Sequence, residues 1–195
     1  MNNSLNQLSD QDLVHLFRNG HDNAIAEIIR RYQNNVYTAI YLMVKDKYIA
    51  EDLFQDTFLK VVNNIRKDKY AEQGKFLPWA LRIAHNLCID YFRKAKQQVK
   101  VTLADGTDFC DFLPLLEEHA EQKMIRRQSE QKVHQIIDCL PEEQREVVVM
   151  RIYGEMSFKE ISDITGVSIN TALGRMRYAL INLRRMIQDH NLVLR

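Results

Sequence analysis

Ser157-Phe-Lys-Glu-Ile-Ser-Asp-Ile-Thr-Gly-Val-Ser-Ile-Asn-Thr-Ala-Leu-Gly-Arg-Met-Arg177 is the stretch that decides how this chain is read. Ser157 and Glu160 have the Ser-x-x-Glu spacing of a capping box, in which each residue satisfies a free backbone donor of the other, so a short helix opens there. Thr165-Gly166-Val167 makes a turn, since glycine tolerates the backbone twist that ends a helix. Ser168 then caps a longer helix, predicted to run to about Gln188. A short helix, a glycine-containing turn and a long helix make a helix-turn-helix. Ile161, Ile164 and Val167 would hold the first helix against the second. Ala172, Met176, Ala179, Leu180 and Leu183 give the second an apolar face. Its other face carries Asn170, Thr171, Arg175, Arg177, Arg184 and Arg185. From Ile164 to Gln188 there are four arginines and no carboxylate, as a DNA groove requires, because a carboxylate facing phosphates would repel them. The capped end of the long helix adds unpaired N–H groups and a positive dipole end. The plainer reading is a helical hairpin with a solvated arginine face. Cap, turn, spacing and charge taken together favour DNA.

Outward from this stretch the chain is predicted to be all-α. Six glycines and three prolines interrupt 195 residues, and no run has strand periodicity. Pro141 marks a helix start, and Gly154 is placed to follow that helix's end. In the N-terminal half, Ser9 with Asp12 is a capping box opening a helix through Phe17. Asn23 is the expected cap of the next helix, whose apolar residues run from Ile25 to Val44 at three-to-four spacing. A third helix is expected over Ile49–Ile65, then a polar loop, Arg66–Lys75, then a helix with Pro78 in its first turn. Between Val101 and Gln122 there are six carboxylates and no Lys or Arg. This segment is expected to be a linker between two small helical domains.

Composition narrows the function. The net charge of +1 excludes a uniformly basic coat, so any DNA binding must come from local charge segregation. Three scattered cysteines give no C-x-x-C pair and no zinc spacing, and an odd count fits a reducing cytosol. The sequence has no signal-peptide pattern and no apolar run of about 18 residues, so a cytoplasmic protein is expected. No metal or other cofactor is expected.

Two further motifs are ambiguous by physics alone. Asp52, Gln55 and Asp56 fall at i, i+3 and i+4, away from the Leu53/Phe58 stripe. Such charges usually mean a solvated face; docking onto a basic partner is the alternative, and metal binding a poor third. Trp79, Arg82 and Asn86 lie one turn apart on a helix that also carries Arg93. Aromatics and cations together suit unstacked bases, although Trp79 can equally be core and Asp90 can simply pair with Arg93.

In order and spacing these stretches resemble the extracytoplasmic-function (ECF) subfamily of bacterial sigma factors. The residues that carry the resemblance are Ala50-Glu-Asp-Leu-Phe-Gln-Asp-Thr-Phe-Leu-Lys60, Trp79-Ala-Leu-Arg-Ile-Ala-His-Asn86 with Asp90 and Arg93, Leu140-Pro-Glu-Glu-Gln-Arg145, and Phe158 through Arg175. The resemblance implies a non-enzymatic factor that directs core RNA polymerase to promoters. It implies region 2 over 1–97, a linker over 98–125 and region 4 over 126–195. Asp52, Gln55 and Asp56 would meet the clamp helices of the largest polymerase subunit, and region 4 would meet the flap of the second-largest. Lys75, Trp79, Arg82, Asn86 and Arg93 would read and open the −10 element. Ser168, Asn170, Thr171, Arg175, Arg177 and Tyr178 would read the −35 element. An anti-sigma protein is an expected partner.

This sequence departs from the family at Leu173-Gly174, where many members carry a basic and a small polar residue. The linker carboxylates, Asp105, Asp108 and Asp111 among them, are expected to mimic nucleic acid in the polymerase cleft. The alternative function is a stand-alone helix-turn-helix regulator. It would need a dimer interface, and no heptad seam is present. A nucleic-acid enzyme has no supporting motif.

Overall fold

The structure, a computed structural model, describes residues 5–70, 74–98 and 132–189. Every regular element among them is helical. Most of the expected acidic linker, with Asp105, Asp108 and Asp111, lies outside the described residues.

The N-terminal half opens with a 3-10 turn, Leu5–Gln7, and helix α1, Asp10–Arg18. Ser9 and Asp12 form the expected capping box, which holds the Asp12 carboxyl below its usual range, chiefly through the Ser9 hydroxyl. Helix α2, Asp22–Val44, is capped differently from the expectation. Its N-cap is His21, with no side-chain cap bond, and Asn23 lies inside the first turn. The chain can do without a cap there because α2 is fixed by packing: Ile28, Val36, Ala39, Ile40 and Leu42 are fully buried. Helix α3, Lys47–Arg66, starts two residues before the expected position because Asp46 accepts from the Ile49 amide at 3.0 Å. Helix α4, Phe76–Gln98, follows. Helix α2 packs against α1, α3 and α4.

The C-terminal half comprises a helical segment α5 (132–138), α6 (Glu142–Ile152), α7 (Phe158–Thr165) and α8 (Ile169–Asp189). Pro141 is the N-cap of α6. The Ser157/Glu160 box opens α7, and Gly166 closes it in the left-handed region at φ 71°. Gly154 follows α6 as expected, but the left-handed residue is its neighbour Glu155, φ 53°. A Cβ on Gly154 would stand 2.5 Å from the Met150 carbonyl oxygen and 3.1 Å from Leu81 Cδ1. Glycine is needed there for space, because the last turn of α6 crowds the position through the Met150 carbonyl, with Leu81 of α4 a second, softer neighbour.

The two halves share one apolar core. Leu81, Ala84 and Cys88 on α4, and Val147, Met150 and Met156 from the second half, belong to the same buried cluster. Polar contacts also cross the junction. Lys75 Nζ donates to Glu160 Oε1 at 2.7 Å, Asn35 Nδ2 to the Tyr153 carbonyl at 3.1 Å, and Lys45 Nζ to the Asp138 carbonyl at 2.5 Å.

Candidate nucleic-acid interface

Helix α8 is positioned from both ends of the turn that precedes it. The Ser168 hydroxyl accepts from the Thr171 amide at 3.0 Å and lies 2.8 Å from the Thr171 hydroxyl, so both side chains are held at the helix start. Ser162 Oγ donates to the Val167 carbonyl at 2.6 Å and fixes the turn from the α7 side. Ala172 and Ala179 are fully buried, which sets the rotation of α8. That rotation leaves Asn170, Thr171, Arg177 and Tyr178 exposed. Arg177 makes no ion pair among the described residues and is free to meet a phosphate or base edge.

Arg175 points elsewhere. Its guanidinium lies 3.1 Å from Glu143 Oε2 and 3.9 Å from Glu146 Oε2, both on α6, and its side chain is only 19% exposed. Here it ties α8 to α6. The sequence expectation missed this because the two carboxylates sit about 30 residues away on another helix.

On α4, Arg82 and Asn86 are exposed, while Trp79 is half-buried. The indole packs against Tyr70, ring centroids 4.2 Å apart, and against Phe76 at 5.7 Å. This aromatic group anchors the end of the Arg66–Lys75 loop, of which residues 71–73 are not described. Arg93 pairs with Asp90 at 2.6 Å on an exposed surface, a contact worth little in water. Lys75 reaches across to Glu160. The expected −10 residues therefore divide: Trp79, Arg82 and Asn86 share one side of α4, and Lys75 is engaged with α7.

His85, one residue before Asn86, is 5% exposed. Its Nε2 lies 2.7 Å from Glu146 Oε1. An ionised carboxylate only accepts, so Nε2–H is the donor. Nδ1 is buried with no partner among the described residues. Glu146 thus touches both His85 of α4 and Arg175 of α8. Sequence gave no signal for this contact, since it depends on how the halves dock.

Asp52, Gln55 and Asp56 are all exposed on one face of α3. Tyr48, 77% exposed, and Leu59, 61% exposed, lie along the same face at the i−4 and i+7 positions from Asp52. These two were not expected from sequence, although their helical spacing with Asp52 and Gln55 would have placed them.

Among the described residues no group of His, Cys, Asp and Glu side chains could hold a metal ion, and no helix is long and apolar enough to cross a membrane. Burial pushes the Cys88 thiol up to about 12, so it is a packing group and not a nucleophile.

Comparison with known proteins bears on all of this. The family model described as Sigma-70 region 2 matches residues 28–98, and that described as Sigma-70, region 4 matches residues 130–178. The chain is similar to the ECF RNA polymerase sigma factor SigM of Bacillus subtilis (strain 168), 33% identical over 144 residues, spanning 74% of this chain and 83% of that protein. It is also similar to SigW of the same organism, 28% identical over 176 residues, spanning 88% and 93%. Among solved structures it is similar to CnrH in complex with the cytosolic domain of CnrY, with TM-score 0.60, 20% identity, and 92% and 97% of the two chains covered. It matches the sigma factor RpoE in complex with the anti-sigma factor NepR from Bartonella quintana equally well, with TM-score 0.60, 17% identity, and 84% and 96% covered.

Proposed function

The chain belongs to the ECF sigma factors of the sigma-70 family, and on that premise we propose how its surfaces divide the work of promoter recognition. The protein directs core RNA polymerase to promoters and has no catalysis of its own. One observation carries the division: a single chain presents an acidic, partly apolar face on α3 and an exposed, carboxylate-free face on α8. The first suits a basic protein surface and the second suits DNA.

In this reading residues 1–97 are region 2, 98–125 the linker and 126–195 region 4. Asp52, Gln55 and Asp56 dock on the clamp helices of the polymerase, with Tyr48 and Leu59 as apolar flanks. Trp79, Arg82 and Asn86 act at the −10 element, with Lys75 and Arg93 beside them. Ser168, Asn170, Thr171, Arg177 and Tyr178 act at the −35 element. Arg175 joins them only after leaving Glu143 and Glu146. An anti-sigma protein is the expected inhibitor, and the similar RpoE is solved bound to one. The site of action is the cytoplasm, where the polymerase works.

Geometry adds a requirement. Elements centred near −35 and −10 are about 25 base pairs apart, or ~85 Å at ~3.4 Å per step. A compact chain of 195 residues is only about 40 Å across. The packed arrangement cannot reach both elements, so the halves must part. The roughly 33 residues between Gln98 and position 132 can span up to ~110 Å, which allows it. Parting breaks the His85–Glu146 and Lys75–Glu160 contacts and frees Lys75 for DNA.

Size-exclusion chromatography of the chain mixed with purified bacterial core polymerase tests the reading. Co-elution is expected, and separate elution would overturn it.

A further inference from the structure

Leu173 and Gly174 break the polar pattern of the recognition helix, yet they lie within it. At 100° per residue, Asn170, Leu173, Gly174 and Arg177 fall in one stripe of α8. Leu173 is 44% exposed. A Cβ on Gly174 would meet nothing within 4 Å. The buried side of the helix is supplied by Ala172 and Ala179, so the core does not need Leu173. Nor does the helix need Gly174, since glycine is a poor helix former and no turn or positive φ calls for it here. Free in water, neither residue has a structural reason. Against the floor of a DNA groove, both do.

We propose that Leu173 is a specificity-determining residue: its methyl groups rest on the 5-methyl of a thymine in the upstream promoter element, and Gly174 lets the helix come close enough for that contact. The inference rests on the reading of α8 as the −35 reader. Thymine is the base that presents a methyl group in the major groove, and the other bases present hydrogen-bonding groups that leucine cannot answer. The fifth position of the helix lies in the N-terminal part that reaches base edges in this motif. Leu180 and Ile181 are also exposed, but they sit ~10 Å farther along the axis. The neighbours of Leu173 decide between DNA and an apolar protein partner. Arg177 shares the stripe, and α8 has no carboxylate before Asp189, which suits a polyanion.

The test uses holoenzyme assembled from purified core polymerase and this chain, on promoter duplexes found by mapping its transcription starts. Each thymine of the upstream element is replaced in turn by uracil, which removes only the methyl group. At one position uracil should weaken binding about fourfold, the loss expected for one buried methyl. That sensitivity should vanish with Leu173→Ala and persist with Leu173→Met. No uracil effect at any position, the same effect in Leu173→Ala, or an upstream element lacking thymine on both strands would overturn the proposal. The underlying reading fails separately: Arg177→Ala binding every duplex as tightly as wild type would remove α8 from the DNA altogether.

Discussion

His85 Nε2 on α4 lies 2.7 Å from Glu146 Oε1 on α6, and this part-buried contact joins the half that carries the −10 candidates to the half that carries the −35 candidates. Glu146 also lies 3.9 Å from Arg175 of the recognition helix. One carboxylate therefore sits between α4 and α8, the two helices proposed to read DNA, while the halves are packed.

Replacing His85 by Ala removes the donor and leaves a mostly buried carboxylate with only Arg175 nearby. Losing one partner of a buried polar pair costs about 1–3 kcal/mol. The expected result is a looser junction, seen by small-angle X-ray scattering of the free protein as a larger radius of gyration. An unchanged radius would mean that the apolar contacts around Leu81 and Gly154 hold the halves without this pair.

Asp56→Arg reverses the charge at the centre of the exposed α3 face. Asp56 is exposed and makes no ion pair among the described residues, so the stability change should stay within about 0.5 kcal/mol. Core polymerase binding should fall at least tenfold. Fluorescence titration of labelled protein with core polymerase checks this, and normal affinity would move the docking face elsewhere.

Gly174→Ala should separate stability from recognition. Alanine in a helix interior is favoured over glycine by about 1 kcal/mol, which in a chain of this size raises Tm by roughly 2–4 °C. The same added methyl stands between helix and groove, so holoenzyme affinity for the upstream element should drop. Calorimetry and duplex binding on the same preparation test both halves of the expectation.

The junction should also respond to acid. The Glu160 carboxyl is held at about 2, below its ordinary 4.5, first by the Lys75 ammonium and then by the Ser157 hydroxyl. A depressed carboxyl contributes stability that is complete above its unfolded value and lost as pH falls toward the folded one. The loss therefore falls between about pH 4.5 and 2. Glu160→Gln keeps the capping-box acceptor but loses the charge facing Lys75, so it should be less stable than wild type at pH 6 by about 0.5–1 kcal/mol, the scale of a partly exposed ion pair, and the difference should shrink as pH approaches 2. Unfolding midpoints in denaturant at pH 6, 4 and 2.5 give the comparison.

Local chemistry was legible in the sequence, and docking was not. The Ser9/Asp12 and Ser157/Glu160 boxes, the left-handed Gly166 and the Ser168 cap all form where spacing places them, because each depends on residues three or four apart. Asn23 does not cap α2, since burial of the helix replaced the need for a cap. Gly154 was placed correctly for the wrong reason: the left-handed residue is Glu155, and Gly154 is needed because an added Cβ would strike the Met150 carbonyl oxygen, with Leu81 Cδ1 also close. Arg175 follows the same pattern. Its place on a basic face was readable, but its capture by Glu143 and Glu146 depends on how α6 and α8 pack. The acidic face of α3 was visible as a pattern, yet helical spacing alone could not tell a solvated face from a docking one.

The central claim is that this chain selects promoters for RNA polymerase. It is tested most directly by transcription in vitro with purified bacterial core polymerase on genomic DNA of the host, with and without the protein, reading transcript 5′ ends. The account predicts discrete protein-dependent starts that share two upstream elements at a fixed spacing. Starts that are the same with and without the protein would contradict it.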